Sequence, residues 1–274
     1  MAQTGHLTRA PAPAGFGLSQ VTWLRIGILL TVLVLWEAVA RSGILLRDVV
    51  PSVVTIGRSL AELLGHPDLK VSGTGMVIPS FYWHLYVTIS EVATALVIGG
   101  TTGLAVGLAL GANPFLSKAF ERYLYYLGPT PKIVFFPVMI MWFGVGPESK
   151  IAMGTLSCFF PVVLSAASGM RMIEGVLIRV GRSFRLNTWQ MVSKIYLPAM
   201  REPIVNGVRL GMGVAMIGTL LAETKLSNKG IGFMIIDAYN TFDMPRMYAV
   251  LLMLFVIAIG ANALVGRASR GTRS

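Results

Sequence analysis

Long apolar runs, separated by short segments that contain Lys and Arg, dominate the chain. Three of the runs contain no charged residue, and three more contain one or two. Each is long enough to supply the roughly 20 mainly apolar residues that a helix needs to cross a bilayer. The pattern therefore predicts an all-α, polytopic membrane protein with six transmembrane helices, the second of which begins nearer His84. The runs are Ile26–Leu46, Val92–Ser117, Tyr123–Pro147, Ile151–Met170, Pro203–Ala222 and Met247–Gly266.

The composition agrees with a membrane protein and excludes several other classes. Of the 274 residues, 54% are hydrophobic and 13% are charged, and the mean hydropathy is +0.70. Because soluble domains carry roughly 25% charged residues, these values exclude an ordinary water-soluble enzyme and a disordered chain. A transmembrane barrel is excluded as well, because its strands would alternate apolar and polar residues, whereas the apolar runs of this chain are continuous. A disulfide scaffold is excluded because Cys158 is the only cysteine.

The distribution of basic residues predicts the orientation of the helices. The net charge is +11, and the Lys and Arg residues lie between the apolar runs, where they set topology rather than bind nucleic acid. If six helices cross the membrane, thirteen Lys and Arg residues lie on the side that holds both termini, and eight lie on the other side. Both termini are therefore expected in the cytoplasm. Residues 1–22, rich in Pro, Ala and Gly, are expected to form a disordered cytoplasmic tail before a single transmembrane domain over residues 23–270.

Glycines spaced four residues apart predict close helix packing. This spacing lets two helix backbones approach each other in lipid, where small residues are enriched at helix contacts. We interpret it as scaffold packing rather than as part of a transport route. The glycines are Gly99, Gly103, Gly107 and Gly111 in the second run, and Gly207 and Gly211 in the fifth.

Prolines interrupt the third apolar run. Pro129, Pro131 and Pro137 each lack a backbone N–H and weaken the helical hydrogen-bond ladder. Broken helices are tolerated at membrane depth where they are buried or line a cavity. The third run is therefore either part of a translocation route or a kinked structural helix. The fifth run is also predicted to line the route, with ordinary helix packing as the alternative. The residues predicted to line a route are Met139, Trp142, Phe143, Met212, Met216 and Thr219.

The segment Arg171–Pro203 is too charged to cross a membrane and too apolar to be an unstructured linker. Its apolar residues recur at helical spacing, and either Asn187 or Thr188 can cap a second short helix that ends near Pro198. Two short helices with an apolar face are suited to docking into a groove on a partner protein. They are equally suited to lying on anionic lipid, and the residues alone leave both interpretations open.

The end of this segment is similar to the EAA loop of bacterial ABC importer permeases. That pattern reads E-A-A, three residues, G, nine residues and I-x-L-P, and its end is present as Ile195, Leu197 and Pro198. Counted back, the glycine position falls on Arg185 and the E-A-A positions fall on residues 179–181, so the beginning of the pattern is not kept.

Two further segments resemble permeases of the nitrate, sulfonate and taurine type. PKIVFFPVMIMWFGVGPESK, residues 131–150, resembles their P-K…P…W-F-G stretch. LLAETKLSNKGIGFMI, residues 220–235, resembles the A-E…G-x-G segment that follows their fifth helix. The resemblance covers about residues 80–266 of the chain.

The resemblance implies a type I ABC importer permease, with six helices and a cytoplasmic coupling-helix loop over residues 171–203. It also implies a bacterial inner-membrane location, a second permease copy in a homodimer, two cytoplasmic ATPase subunits and an extracytoplasmic solute-binding protein. ATP and Mg would sit on the ATPase subunits, since this chain has no G-x-x-x-x-G-K-[ST] motif. The solute would be small, for example nitrate, a sulfonate or taurine. The residues implied in coupling are Arg179, Val180, Gly181, Arg182, Ser183, Phe184, Arg185, Leu186, Ile195, Leu197 and Pro198.

Two other classes compete with this interpretation. An ATP-independent secondary transporter often shows internal repeats and intramembrane charges, but the two halves of this chain show no obvious repeat. Glu91 and Arg209 lie within apolar runs and are expected to extend toward the nearer membrane surface, with a pathway role as the alternative. An intramembrane enzyme would need a nucleophile and base or metal ligands at membrane depth, and no such set is present, so neither catalytic nor metal-binding residues are expected.

Overall fold

The computed structural model describes residues 20–43, 49–65, 69–70, 77–78 and 80–270. The tail expected over residues 1–22 lies outside the described residues except for its last three, which begin the first helix. The described part consists of two compact units, which meet in sequence between Val54 and Thr55.

The described residues are almost entirely helical, as the apolar runs predict. Helices α1 (Gln20–Ser42) and α2 (Val53–Gly65) are followed by two-residue strands β1 (Leu69–Lys70) and β2 (Val77–Ile78), which pair antiparallel. The remaining helices are α3 (Phe81–Ala112), α4 (Pro114–Leu127), α5 (Phe136–Phe143), α6 (Pro147–Arg171), α7 (Gly175–Ser183), α8 (Thr188–Met191), α9 (Leu197–Ala199), α10 (Arg201–Lys225), α11 (Ile231–Asn240) and α12 (Met244–Arg270).

The first unit contains α1, whose two charges interact with each other. Arg41 Nε donates to Glu37 Oε1 at 2.7 Å, and the backbone N–H of Val53 donates to Glu37 Oε2 at 2.9 Å. Trp36 Nε1 donates to the carbonyl of Pro51 at 3.1 Å. Because a paired charge is less costly in an apolar helix than an isolated one, this pairing explains how α1 carries both residues.

The core of the second unit is built from α3, α6 and α10. Twelve of the 25 residues of α6 are buried, and most are small or apolar. The glycines of both four-residue repeats lie against this helix. A Cβ at Gly103 would lie 2.9 Å from the carbonyl oxygen of Phe159, and one at Gly211 would lie 2.9 Å from Cys158 Sγ. Any larger side chain at these positions would push the helices apart.

The third apolar run is not one helix. Its first helix, α4, begins at Pro114 rather than at the predicted Tyr123, and Asn113 Oδ1 caps it by accepting the N–H of Phe115 at 2.9 Å. The preceding α3 ends at Ala112, earlier than the predicted Ser117. Helix α4 stops at Leu127, a 3₁₀ turn over Lys132–Phe135 follows, and α5 leads to Gly144 at φ 77°. The two halves are bent by 94°. Pro129 and Pro131 cannot donate to the helical ladder, which is the physical reason for the break.

Within the described residues, five helices are long and apolar enough to cross a membrane, and the bent pair α4–α5 would make a sixth. The five are α1, α3, α6, α10 and α12. The prediction of six crossings therefore corresponds to five continuous helices and the bent pair α4–α5.

Candidate functional site

The segment between α6 and α10 folds into a helical hairpin. Helix α7 is followed by α8, a π-helical turn at Val192–Tyr196 and α9. Asn187, one of the two predicted caps, begins α8: its Oδ1 accepts the N–H of Gln190 at 2.8 Å, and Gln190 Oε1 accepts the N–H of Asn187 at 3.0 Å. This reciprocal capping box satisfies two N–H groups that the helix itself cannot.

The end of α7 is a Schellman motif with Arg185 at its left-handed position. The N–H of Leu186 donates to the carbonyl of Gly181 at 3.1 Å, and the N–H of Arg185 donates to the carbonyl of Arg182 at 2.9 Å. Arg185 has φ 51°. This position usually carries glycine, because a Cβ is crowded in the left-handed region. The EAA pattern has its glycine at this same position. The backbone conformation is therefore the one that the pattern's glycine would favour, although this chain has arginine there.

Arg185→Gly is therefore expected to stabilise the end of α7. A non-glycine residue in the left-handed region costs roughly 1–2 kcal/mol, so relieving that strain should slow amide hydrogen exchange at residue 186 by about fivefold or more. Arg182→Gly, placed inside the same helix, should instead accelerate exchange, since glycine costs a helix interior about 1 kcal/mol. Faster exchange in Arg185→Gly would show that the guanidinium stabilises this turn by more than the strain costs.

Gly181 joins the two halves of the hairpin. It is buried, and a Cβ there would overlap Met191 Sδ and lie 3.5 Å from Ile195 Cδ1. Ile195 thus packs under α7, while Leu197 and Pro198 form α9 immediately afterwards. The hairpin is held by this small contact, which leaves the opposite surface of α7 uncovered.

The uncovered surface is apolar and basic. Phe184 is 76% exposed and Val180 is 42% exposed, and Arg179, Arg182, Ser183 and Arg185 are exposed beside them. Among the described residues, neither of the two salt bridges involves these arginines. Trp189, at 75% exposure on α8, adds a second aromatic ring that sequence reasoning missed. Its one sequence signal is its position directly after Asn187 and Thr188, the two predicted capping residues.

The six residues predicted to line a route do not meet in one cavity. Met139, Trp142 and Phe143 line a cavity of about 660 Å³ formed by α3, α5 and α6. Met212 and Met216 line a different one of about 440 Å³, formed with α3, α11 and α12. Thr219 is fully buried against Gly154 of α6. The helical stripe on α10 therefore faces two environments.

A buried polar cluster, which sequence reasoning missed, holds the start of α11. The N–H groups of Gly230, Ile231 and Gly232 donate to His84 Nδ1 at 3.0 Å, to Thr88 Oγ1 at 2.8 Å and to Glu223 Oε2 at 2.7 Å. Thr88 Oγ1 also donates to Glu223 Oε1 at 2.7 Å. Three side chains from α3 and α10 thus satisfy the N–H groups that a helix start leaves without partners.

The two glycines at the start of α11 make room for Glu223. A Cβ at Gly230 would overlap its carboxylate, and one at Gly232 would lie 2.6 Å from its Cβ. Gly230 also has φ 99°, which disfavours other residues. The A-E…G-x-G segment therefore has a structural reason: Glu223 accepts the N–H of Gly232, and both glycines leave room for its side chain.

Glu91 extends this cluster and corrects a prediction. Its side chain is 4% exposed and faces Glu223 and Lys150 rather than a membrane surface. Lys150 Nζ also donates to the carbonyls of Val145 and Gly146, at 2.6 and 3.0 Å. Arg209, the other charge predicted to extend toward a membrane surface, donates from Nε to Asn262 Oδ1 on α12 at 2.5 Å. Glu91 and Arg209 therefore both face side chains of other helices, which their positions in the sequence could not reveal.

Comparisons with known proteins give a consistent result. Residues 95–274 match the family described as binding-protein-dependent transport system inner membrane component. The chain is 29% identical over 243 residues to a putative aliphatic sulfonates transport permease protein of Bacillus subtilis, with 88% of this chain and 83% of that protein covered. It is 28% identical to the taurine transport system permease protein of Escherichia coli, with 91% and 90% covered.

A nitrate import permease protein of Synechococcus elongatus is 24% identical, with 83% of this chain and 80% of that protein covered. A bicarbonate transport system permease protein of the same organism is 26% identical, with 85% and 81% covered. Among solved structures, a methionine ABC transporter in an inward-facing conformation is similar, with a TM-score of 0.61 and 18% identity. That match covers 68% of this chain and 93% of the other, and it shows a shared fold.

Proposed function

The chain belongs to the family of binding-protein-dependent transport system inner membrane components, the permeases of ABC importers, and from that premise we propose that its α7–α8 hairpin couples transport to a separate ATPase. The observation that carries this proposal is Phe184, which is 76% exposed at the end of an ordered, Schellman-terminated helix. An ordered aromatic side chain surrounded by arginines is typical of a docking anchor, because aromatic residues and arginine are enriched at interface hot spots.

The membership implies an ATPase and a solute-binding protein as partners. We propose a homodimer of this chain, with two cytoplasmic ATPase subunits that carry ATP and Mg and an extracytoplasmic binding protein. Two observations support this arrangement: the sequence has no P-loop motif, and five of the six predicted route residues line two separate cavities in a single copy. The excess of Lys and Arg in the α6–α10 segment supports a cytoplasmic position for that segment and for both termini.

The transported solute is proposed to be a small oxyanion. Sulfonates, taurine, nitrate and bicarbonate are named for four of the relatives, and each carries a negatively charged oxygen group at neutral pH. This shared chemistry supports the class, whereas the relatives differ in the individual solute.

Reconstitution tests the proposal. The permease, purified with its ATPase and binding protein and placed in proteoliposomes, should accumulate at least one of nitrate, taurine, ethanesulfonate and bicarbonate. Accumulation should require ATP, because the chain has no energy source of its own. Uptake that runs on an ion gradient without ATP would contradict the coupling proposal and support a secondary transporter. ATP-dependent uptake of uncharged solutes alone would contradict the oxyanion proposal.

A further inference from the structure

Lys132 lies at mid-height in the helical bundle. It is the first residue of the 3₁₀ turn between the two halves of the broken crossing. Its ammonium is 5.1 Å from the ring centroid of Phe160. Phe160 is thirteen residues from the first residue of α6 and eleven from the last, Pro147 and Arg171. Because a helix rises about 1.5 Å per residue, the ammonium stands near the middle of a membrane-crossing helix.

The ammonium has no acidic partner. Across residues 80–270 and the other described segments, no carboxylate lies within 4 Å of Lys132. It donates to the carbonyl of Gly128 and rests over the Phe160 ring. By contrast, Arg41 of α1 is paired with Glu37, and buried Lys150 interacts with Glu91 and Glu223. Lys132 is thus a half-buried cation at membrane depth, where charges are rare and mark pathways for ions or polar substrates.

The surroundings of Lys132 leave it able to bind an anion. An ammonium has three donors, and one is used by Gly128. Phe160 packs edge-on against Phe159 at 5.4 Å between ring centroids, and Phe159 lines the 660 Å³ cavity that also includes Trp142 and Phe143. The rings of Phe160 and Phe159 thus connect the ammonium to this cavity, whose lining also includes Glu148.

We propose that Lys132 is an intramembrane binding site for the transported oxyanion, which it receives as the solute passes the break between α4 and α5. The proposal rests on the function proposed above and adds the residue that recognises the charge. A fixed cation offsets the cost of bringing an anion into an apolar bundle. The break itself, residues 128–135, carries no carboxylate that would repel the solute, and Glu148 belongs to the neighbouring cavity. The competing explanation is that Lys132 only caps the carboxyl end of α4, where a cation is also favourable.

Charge removal tests the proposal in the reconstituted complex with ATP. Lys132→Met should reduce uptake of the transported oxyanion by about 10- to 100-fold, the effect of losing a hydrogen bond to a charged group. Lys132→Arg should keep most of the uptake. Lys118→Met, an exposed lysine of α4, is the matched control and should transport as the unchanged protein does. If the unchanged complex transports an oxyanion and Lys132→Met transports it equally well, the site is wrong although the proposed function stands.

A cysteine at the same position separates binding from capping. Lys132→Cys should lose uptake and regain it after reaction with 2-aminoethyl methanethiosulfonate, which restores an ammonium, but not after reaction with the neutral methyl reagent. Cys158 is fully buried, so the unchanged protein is the labelling control. The transported oxyanion should slow the labelling reaction. Labelling that the anion does not slow, together with faster amide exchange at the end of α4 in Lys132→Met, would assign Lys132 to capping and overturn the proposal. Absence of any oxyanion uptake by the unchanged complex would overturn the proposed function and this site together.

Discussion

Phe184→Ala is expected to release the ATPase from the permease. The side chain is 76% exposed, so its removal costs the isolated permease almost nothing. In the assembled transporter the ring would be buried in the partner, and truncating such an anchor costs roughly 2–4 kcal/mol of binding free energy. Since each 1.4 kcal/mol is a tenfold change in the dissociation constant, ATPase recovered with the tagged permease should fall by more than tenfold near the dissociation constant. ATP-dependent uptake should fall with it.

The matched control for this variant is Phe242→Ala. Phe242 is 73% exposed and lies in the turn between α11 and α12, away from the hairpin in sequence. Its removal should leave ATPase recovery unchanged. Reversing the charges of Arg182 and Arg185 should slow assembly more than it weakens the final complex, because rim charges act mainly on the association rate. If Phe184→Ala and the double charge reversal both leave assembly and uptake unchanged, the hairpin is a membrane-surface element and the coupling proposal fails.

Glu223→Ala is expected to destabilise the bundle strongly. The carboxylate accepts from Thr88 Oγ1 and from the N–H of Gly232, and it is fully buried. Removing it leaves both donors without a partner in an apolar interior, at about 1–3 kcal/mol each, in addition to a cavity. We expect a loss of about 3–5 kcal/mol, seen as early heat denaturation in detergent and as fast amide exchange over residues 230–234.

Two comparison variants define the cause of that effect. Glu223→Gln keeps a carbonyl oxygen for the N–H of Gly232 and should lose less stability than the alanine variant. Glu62→Ala removes an exposed carboxylate on α2 and should change stability by less than about 0.5 kcal/mol, as surface substitutions do. Equal stability of Glu223→Ala and Glu62→Ala would mean that the cluster does not hold the start of α11.

The membrane crossings and the hairpin were accessible from the sequence because their signals are local. Apolar length alone located α6 and α12, and the prolines at 129 and 131 indicated the interruption that appears as a 94° bend. The capping residue Asn187 and the apolar face around Phe184 also depend only on neighbours within a few positions. Where the prediction was wrong, at the start of the third run, a local signal had been overlooked: Asn113 followed by Pro114 begins a helix.

By itself, the sequence determined which segments are apolar enough to lie in a membrane and that prolines interrupt the third of them, since those properties belong to short stretches of chain. The tertiary structure alone decided that His84 and Thr88 meet Gly230 and Ile231 across 146 and 143 positions. It also decided that five of the six predicted route residues line two separate cavities. Such contacts depend on how distant helices pack, and the energy of packing is set by complementary shapes and buried hydrogen bonds that no single segment contains.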